Sequence, residues 1–212
     1  MSKICKNCGK EVDDKYDFCV YCGEKLPNHF ICTKCKEEYF EIDYAYCGKC
    51  GSRLVPFNER LHNMDLDNLS ETEVCGIFWS EFFKEADKRD NKFFGGNRNR
   101  PWGYNRFSIK GITGTVLETR GWYQRDHIEI KILIHNNKDL YYHLKEREGY
   151  YNEQFPHDLI WRDKKNATNI ALEIDDLSIK YPSDWDEIIY QFITQMNKFC
   201  EVFSDDIKKF LN

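Results

Sequence analysis

Between Val74 and Ala86 the apolar side chains return every three or four residues, at Val74, Ile77, Phe78, Phe82 and Ala86. That spacing follows the 3.6-residue turn of an α-helix and predicts a helix with one stripe turned toward a core. Its start is marked by Ser70-Glu71-Thr72-Glu73, a capping box, with Leu69 and Val74 placed as a hydrophobic staple. The helix should fade near Lys88-Arg89-Asp90. The glycine- and asparagine-rich run from Gly95 through Pro101 to Gly103 predicts a long loop. The period then changes from 3.6 to two. Residues 104–110 and 113–119 predict strands paired through a turn at Gly111, and 127–135 a third strand after a hairpin at Gly121-Trp122-Tyr123. In Ile128-Glu129-Ile130-Lys131-Ile132 apolar and charged residues alternate, so one face should be buried and the other wet. Asn136-Asn137 predicts the cap of a second helix through Leu140, Leu144 and Tyr151, followed by strands at 158–162 and 169–174. A long last helix opens at Ser183-Asp184-Trp185-Asp186, with Ile188, Ile189, Phe192, Met196, Phe199 and Phe203 on its inner side. The order αβββαββα predicts an α+β domain, helices layered on a mainly antiparallel sheet.

No such periodicity runs through residues 1–54. Eight of the ten cysteines lie there instead, in four Cys-x-x-Cys pairs: Cys5/Cys8, Cys19/Cys22, Cys32/Cys35 and Cys47/Cys50. The endings Gly23-Glu24-Lys25-Leu26 and Gly51-Ser52-Arg53-Leu54 run in parallel, so the segment is one unit written twice. Each unit supplies four thiolates, the full tetrahedral shell of a structural zinc ion, and a two-residue gap lets both sulfurs of a pair reach one metal from a tight turn. Glycine after Cys8, Cys22 and Cys50 allows positive φ and lets backbone N–H groups point at the sulfurs. This pattern resembles the double zinc ribbon family, with all eight ligands present. Disulfides are the weaker alternative, because Met1-Ser2-Lys3-Ile4 opens no apolar signal segment. Redox Cys-x-x-Cys chemistry lacks the strand–helix context it uses. A cross-brace, in which the first and third pairs share a metal, remains a third arrangement, but each repeat is self-sufficient and sequential pairing is expected. The result is two structural Zn2+ ions, neither with an open position for catalysis. In units too small to bury a useful core, the metal supplies the folding energy.

Composition bounds the rest. The 212 residues suit one small metal module (1–54), a linker (55–69) and one α+β domain (70–212). No apolar run reaches the ~20 residues needed to cross a bilayer, so a cytoplasmic protein without membrane contact is expected. The net charge of −5 carries no global signal for a polyanion. Cys75 and Cys200, both in apolar helical stretches, are expected to be buried hydrophobes.

The second domain has its own resemblance. It is carried by the aromatic helix around Phe78-Trp79, the Trp102…Phe107-Ser108-Ile109 strand and the charged-alternating strand at 126–134. Lys145-Glu146-Arg147-Glu148, Asn169-Ile170-Ala171-Leu172 and the Trp185-led helix complete it. Together these resemble the bacterial and archaeal domain of unknown function numbered 4268. The resemblance implies a domain found at the C-terminal end of longer bacterial proteins, some with nuclease-like N-terminal parts, and hence a nucleic-acid-processing or defence setting. Zinc ribbons hold the N-terminal place here.

Two constellations carry candidate chemistry. From Lys88 to Arg125 there are nine basic residues against two acids, a local +7 in a chain whose remainder is −12. Arg98, Arg100, Arg106, Arg120 and Arg125 interleave with Trp102, Tyr104, Trp122 and Tyr123. Guanidinium groups for phosphates beside aromatic faces for bases suit single-stranded nucleic acid. The bland alternative is a solvated loop and strand face with the aromatics buried. The enzymatic alternative is Glu129-Ile130-Lys131 with Glu118 on the preceding strand, the arrangement of metal-dependent nucleases of the PD-(D/E)xK type, where acids hold magnesium and lysine steadies the phosphoryl charge. A Glu-x-Lys also arises in any amphipathic strand. His127, His135, His143 and His157 have no metal-ligand spacing. In the ribbons, Lys6, Lys10, Lys34, Lys36 and Lys49 are balanced by Glu11, Asp13, Asp14, Glu37, Glu38 and Glu41. The reading is therefore a zinc-bound, non-catalytic recognition or adaptor protein, its partner a protein or a nucleic acid, with no small-molecule substrate evident.

Overall fold

The structure is a computed structural model. It describes all residues except 1, 6, 14–17, 24, 25, 27, 28, 33, 34, 36, 41, 43, 53, 57–63, 99, 165, 166 and 212. The expectations placed on Lys6, Asp14, Glu24, Lys25, Lys34, Lys36, Glu41, Arg53 and residues 57–63 of the linker fall outside the described residues. Two compact units are present, Met1–His62 and Asn63–Asn212.

The first unit holds two short sheets. Strands β1 (Ser2–Ile4) and β2 (Glu11–Asp13) form one hairpin; β3 (His29–Cys32) pairs with both β4 (Glu38–Phe40) and β5 (Leu54–Pro56) in the other. The duplication read from the cysteines extends to the register, where Lys3 faces Val12 and Phe30 faces Tyr39. Among the described residues, apolar burial gathers in two small clusters and at Ile31. One joins Cys5, Val12, Cys19 and Leu26; the other joins Cys32, Cys47 and Leu54, with Tyr39 packed against it.

The second unit is a six-stranded antiparallel sheet with its helices on one face. The capping box forms as expected: the Ser70 side chain accepts from the Glu73 N–H, and the Glu73 carboxylate accepts from the Ser70 N–H at 2.8 Å. It starts α1 (Glu71–Ala86). The sheet order is β10 (Ile160–Arg162), β11 (Ala167–Asp175), β9 (His127–His135), β8 (Thr115–Gly121), β7 (Tyr104–Ile109), β6 (Phe93–Phe94). The two-residue β6 was not anticipated, since Phe93-Phe94 is too short to show a period; its pairing with Ser108 and Ile109 defines it. The β8 strand runs two residues later than expected, because its pairing with β9 continues to Gly121 opposite Ile128.

The expected second helix is broken. Asn137 caps α2 (Lys138–Lys145) by accepting from the Leu140 N–H at 2.9 Å, and a separate turn, α3 (Glu148–Asn152), follows. The break at 146–147 lets Tyr151 stack on Phe203 at 4.2 Å and donate its hydroxyl to Asp206 at 2.6 Å. Both partners lie on the long last helix α4 (Pro182–Leu211).

Burial follows the strand period on the helix side. Ile128, Ile130 and Ile132 of β9 are fully buried there, as are Leu117, Ile170 and Leu172. Helices α1 and α4 supply Phe78, Trp79, Phe82, Trp185 and Phe192, whose rings meet edge-on or stacked at 5.0–6.4 Å. Cys75 and Cys200 are buried, and that burial pushes both thiols up to about 12, as inert small hydrophobes behave. No helix among the described residues is long and apolar enough to cross a membrane.

Candidate functional site

In the first unit the eight cysteines gather into two groups, Cys5/Cys8/Cys19/Cys22 and Cys32/Cys35/Cys47/Cys50, each with all four sulfurs within 4.8 Å. Pairing is thus sequential, and the cross-brace is excluded. Sulfur pairs stand 3.5 and 3.6 Å apart in the first group and 3.4 and 3.5 Å in the second. A disulfide needs about 2.05 Å. Four sulfurs on a tetrahedron about 2.3 Å from zinc lie about 3.8 Å from one another. The donor set and its spacing fit Zn2+, and with four thiolates no position is left for water or substrate. Gly9, Gly23 and Gly51 take positive φ of 68°, 74° and 73°, as the turns required. Their N–H groups donate to the carbonyls of Cys5, Cys19 and Cys47 at 2.8 Å, rather than to sulfur as expected. Sulfur receives other N–H groups, from Cys35 onto Cys32 and from Lys49 onto Cys47, each at 3.4 Å.

In the second unit, strand register settles what faces the side opposite the helices. Directly opposed residues share a face. Arg106 of β7 lies opposite Glu118 of β8, Glu118 opposite Lys131 of β9, Tyr104 opposite Arg120, Arg120 opposite Glu129, and Glu129 opposite Glu173 of β11. The three residues of the nuclease pattern, Glu118, Glu129 and Lys131, therefore do meet. The face that carries them is not wet, as alternation predicted: Glu118 is 2% exposed and Glu129 3%. Long side chains laid over one another cover the carboxylates where no helix does.

Every carboxylate oxygen of the pair has a cation. Glu118 accepts from Arg106 Nε at 2.7 Å, from Lys131 Nζ at 2.9 Å and from Arg120 Nη2 at 3.2 Å. Glu129 is held by Lys131 and by Arg162, which also binds Glu173. Burial alone would raise the Glu118 pKa; hydrogen bonds from Arg106 and Lys131 and the charge of Arg120 outweigh it and hold the group below the usual carboxylate value.

The same face extends into a cation–aromatic cluster. Three guanidinium groups surround the Tyr104 ring, with Arg100 at 4.6 Å, Arg120 at 4.9 Å and Arg106 at 5.8 Å from its centroid. Arg120 also lies 5.4 Å from Trp122, whose ring overlaps His127 at 4.1 Å. The Nε atoms of Arg100 and Arg120 are buried without a hydrogen-bond partner. Arg100 is placed by its loop: Trp79 Nε1 donates to the Trp102 carbonyl at 2.9 Å, and the Gly121 N–H donates to the Gly103 carbonyl at 2.7 Å. Gly103 is needed there, because a Cβ would come within 2.3 Å of the Gly121 oxygen. Across this face Arg100, Arg106, Arg120, Lys131 and Arg162 meet Glu118, Glu129, Glu173 and Asp175, an excess of one positive charge.

The remaining expected nucleic-acid residues lie apart from this cluster or make no part of it. Arg98 forms a two-pronged pair with Asp87 at 2.7 and 2.9 Å, over the Phe83 ring. Trp102 is 54% exposed, and Arg125 is exposed in the β8–β9 connection. The local +7 is also largely spent on acids. Lys88, Lys92, Arg98, Arg106, Lys110 and Arg120 pair with Glu85, Glu201, Asp87, Glu118 and Asp90, three of which lie outside the 88–125 window. Sequence reading passed over Arg162 and Glu173; only the alternation of Ile160-Trp161-Arg162 hinted at the former's outward face.

Two closed four-cysteine sites ahead of an α+β sheet domain define a zinc-binding protein of ribbon type. The family model described as a double zinc ribbon matches residues 5–55. The one described as a domain of unknown function, DUF4268, matches residues 77–207, more than half of the chain, and the protein belongs to that family. No curated protein and no solved structure matches the chain significantly.

Proposed function

We propose that this protein is a zinc-stabilised, non-catalytic recognition protein that binds single-stranded nucleic acid across the helix-free face of its sheet. The observation carrying this reading is the gathering of Arg100, Arg106 and Arg120 around Tyr104, next to the Trp122–His127 pair. Cations outnumber acids there, and guanidinium groups are the usual partners of phosphate oxygens. Aromatic rings beside them offer stacking that every base can use. The nuclease reading is less well supported, because four cations already neutralise Glu118 and Glu129, and a divalent metal would have to displace them. A defence or nucleic-acid-processing role in the cytoplasm, where zinc thiolates stay reduced, is the setting that fits this chemistry.

Fluorescence anisotropy of labelled single- and double-stranded DNA and RNA with the zinc-loaded protein tests the proposal. Single strands should bind, with affinity falling linearly on a log–log salt plot. Replacing Arg100 and Arg120 by Ala should lower that slope by about 0.7 for each phosphate that is no longer neutralised. Trp122→Ala should cost about 1–3 kcal/mol, and Arg98→Ala should change little. Absence of binding at low salt would overturn the reading. Magnesium-dependent cleavage abolished by Glu129→Ala or Lys131→Ala would replace it with the enzymatic one.

A second reading, a protein-docking adaptor, is favoured by one repeated feature. Phe18 and Tyr46 stand immediately before Cys19 and Cys47, the third ligand of each ribbon, and are 58% and 66% exposed. Their joint replacement by Ala would abolish a protein contact and leave nucleic-acid affinity unchanged.

A further inference from the structure

The two ribbons share a register, and a position where they differ touches a zinc ligand. Tyr39 sits opposite Phe30 on β4, with its hydroxyl 3.1 Å from the Cys47 sulfur. A zinc-bound thiolate only accepts, so the hydroxyl donates. The Tyr39 ring is supported edge-on by Tyr44 at 6.0 Å and packs on the second ribbon's buried cluster. The equivalent position of the first ribbon, opposite Lys3 on β2, is Val12. Val12 packs in the cluster of Cys5, Cys19 and Leu26, as Tyr39 does beside Cys32, Cys47 and Leu54. Its side chain has no proton to donate. The duplicated sites are thus the same in ligands and spacing, and differ in this side-chain donor to the third ligand's sulfur.

A hydrogen bond to a metal-bound thiolate draws charge away from the sulfur and fixes its direction. It makes the sulfur a poorer target for protons and electrophiles, and such outer contacts typically change metal affinity about 10–100-fold. We infer that Tyr39 is a positioning residue that makes the second zinc site inert and leaves the first, with valine in its place, as the site that surrenders its metal first. The duplication has in this way produced one holding site and one exchangeable site.

Site-resolved zinc loss tests this on the full-length, zinc-loaded chain. The protein is incubated with EDTA and iodoacetamide, and alkylation of each cysteine is followed by peptide mass spectrometry. In the native protein Cys5, Cys8, Cys19 and Cys22 should be modified before Cys32, Cys35, Cys47 and Cys50. Tyr39→Phe keeps the ring and removes only the hydroxyl. It should speed modification of the second group about 10–100-fold and leave the first group's rate unchanged. Buried Cys75 and Cys200 report global unfolding and should stay unmodified throughout. Equal rates for the two groups in the native protein, loss from the second group first, or no effect of Tyr39→Phe would each overturn the inference. So would acceleration of both groups together. If Tyr39→Phe does not hold zinc, Val12→Tyr provides the reciprocal test, and slower modification of the first group is then required.

Discussion

Replacing Glu118 by Gln removes one negative charge from a site where three cations share it. Two unit charges about 3 Å apart attract by about 5 kcal/mol at an effective dielectric near 20, but desolvation has consumed most of that before any net gain appears. Removing one partner of a buried pair costs about 3–5 kcal/mol, because the other charge stays behind. Arg106 and Arg120 can turn partly to solvent, with side chains 53% and 35% exposed; Lys131 cannot, at 11%. The lower end of the range, about 3 kcal/mol, is therefore expected. The assay is urea unfolding followed by tryptophan fluorescence, which reports this unit alone because Trp79, Trp102, Trp122, Trp161 and Trp185 all lie in it. With a urea slope of about 2 kcal/mol per molar, the midpoint should fall by about 1.5 M. The pH dependence has a definite sign. Glu118 titrates lower in the folded than in the unfolded chain, so its contribution is complete above the ordinary carboxylate value near 4.5 and is lost as pH falls below it. Glu118→Gln should lack that share of the acid loss. A midpoint unchanged or raised by the substitution would refute the reasoning, and would instead be what a strained catalytic acid gives.

Elemental analysis should find two zinc ions per chain, and Cys5→Ser should lower the content to one while Cys32, Cys35, Cys47 and Cys50 stay protected from alkylation. Phe192→Ala, at a fully buried ring in contact with Phe78, Trp79 and Phe82, should destabilise the second unit by about 3–5 kcal/mol in the same urea experiment. Ser70→Ala removes the hydroxyl arm of the capping box, leaves the backbone N–H arm to Glu73, and should cost about 1 kcal/mol, with no change in zinc content or nucleic-acid affinity.

What the sequence determined by itself was whatever rests on near neighbours. Zinc geometry needs two sulfurs from one tight turn, so four Cys-x-x-Cys pairs specified two closed sites; the self-sufficient repeats favoured sequential pairing, and the grouping of the sulfurs in space decided it against a cross-brace. Helix caps and apolar periods are equally local, and Ser70, Asn137 and the Val74–Ala86 stripe could be read before any fold was known. The strand of alternating Ile and charged residues was legible as a strand for the same reason. What covers its charged face was not legible. Burial of Glu118 and Glu129 depends on Arg106 of β7, Arg120 of β8 and Arg162 of β10 arriving over them, and register, a long-range property, decides that. The basic segment shows the same limit: Arg98 and Lys92 are cations in a positive window along the chain, yet Asp87 and Glu201 neutralise them in space. The turn that splits α2 from α3 exists because Tyr151 finds Phe203 and Asp206 on a helix some fifty residues away. Local chemistry wrote the metal sites, and only tertiary packing could decide which charges remain free to meet a ligand.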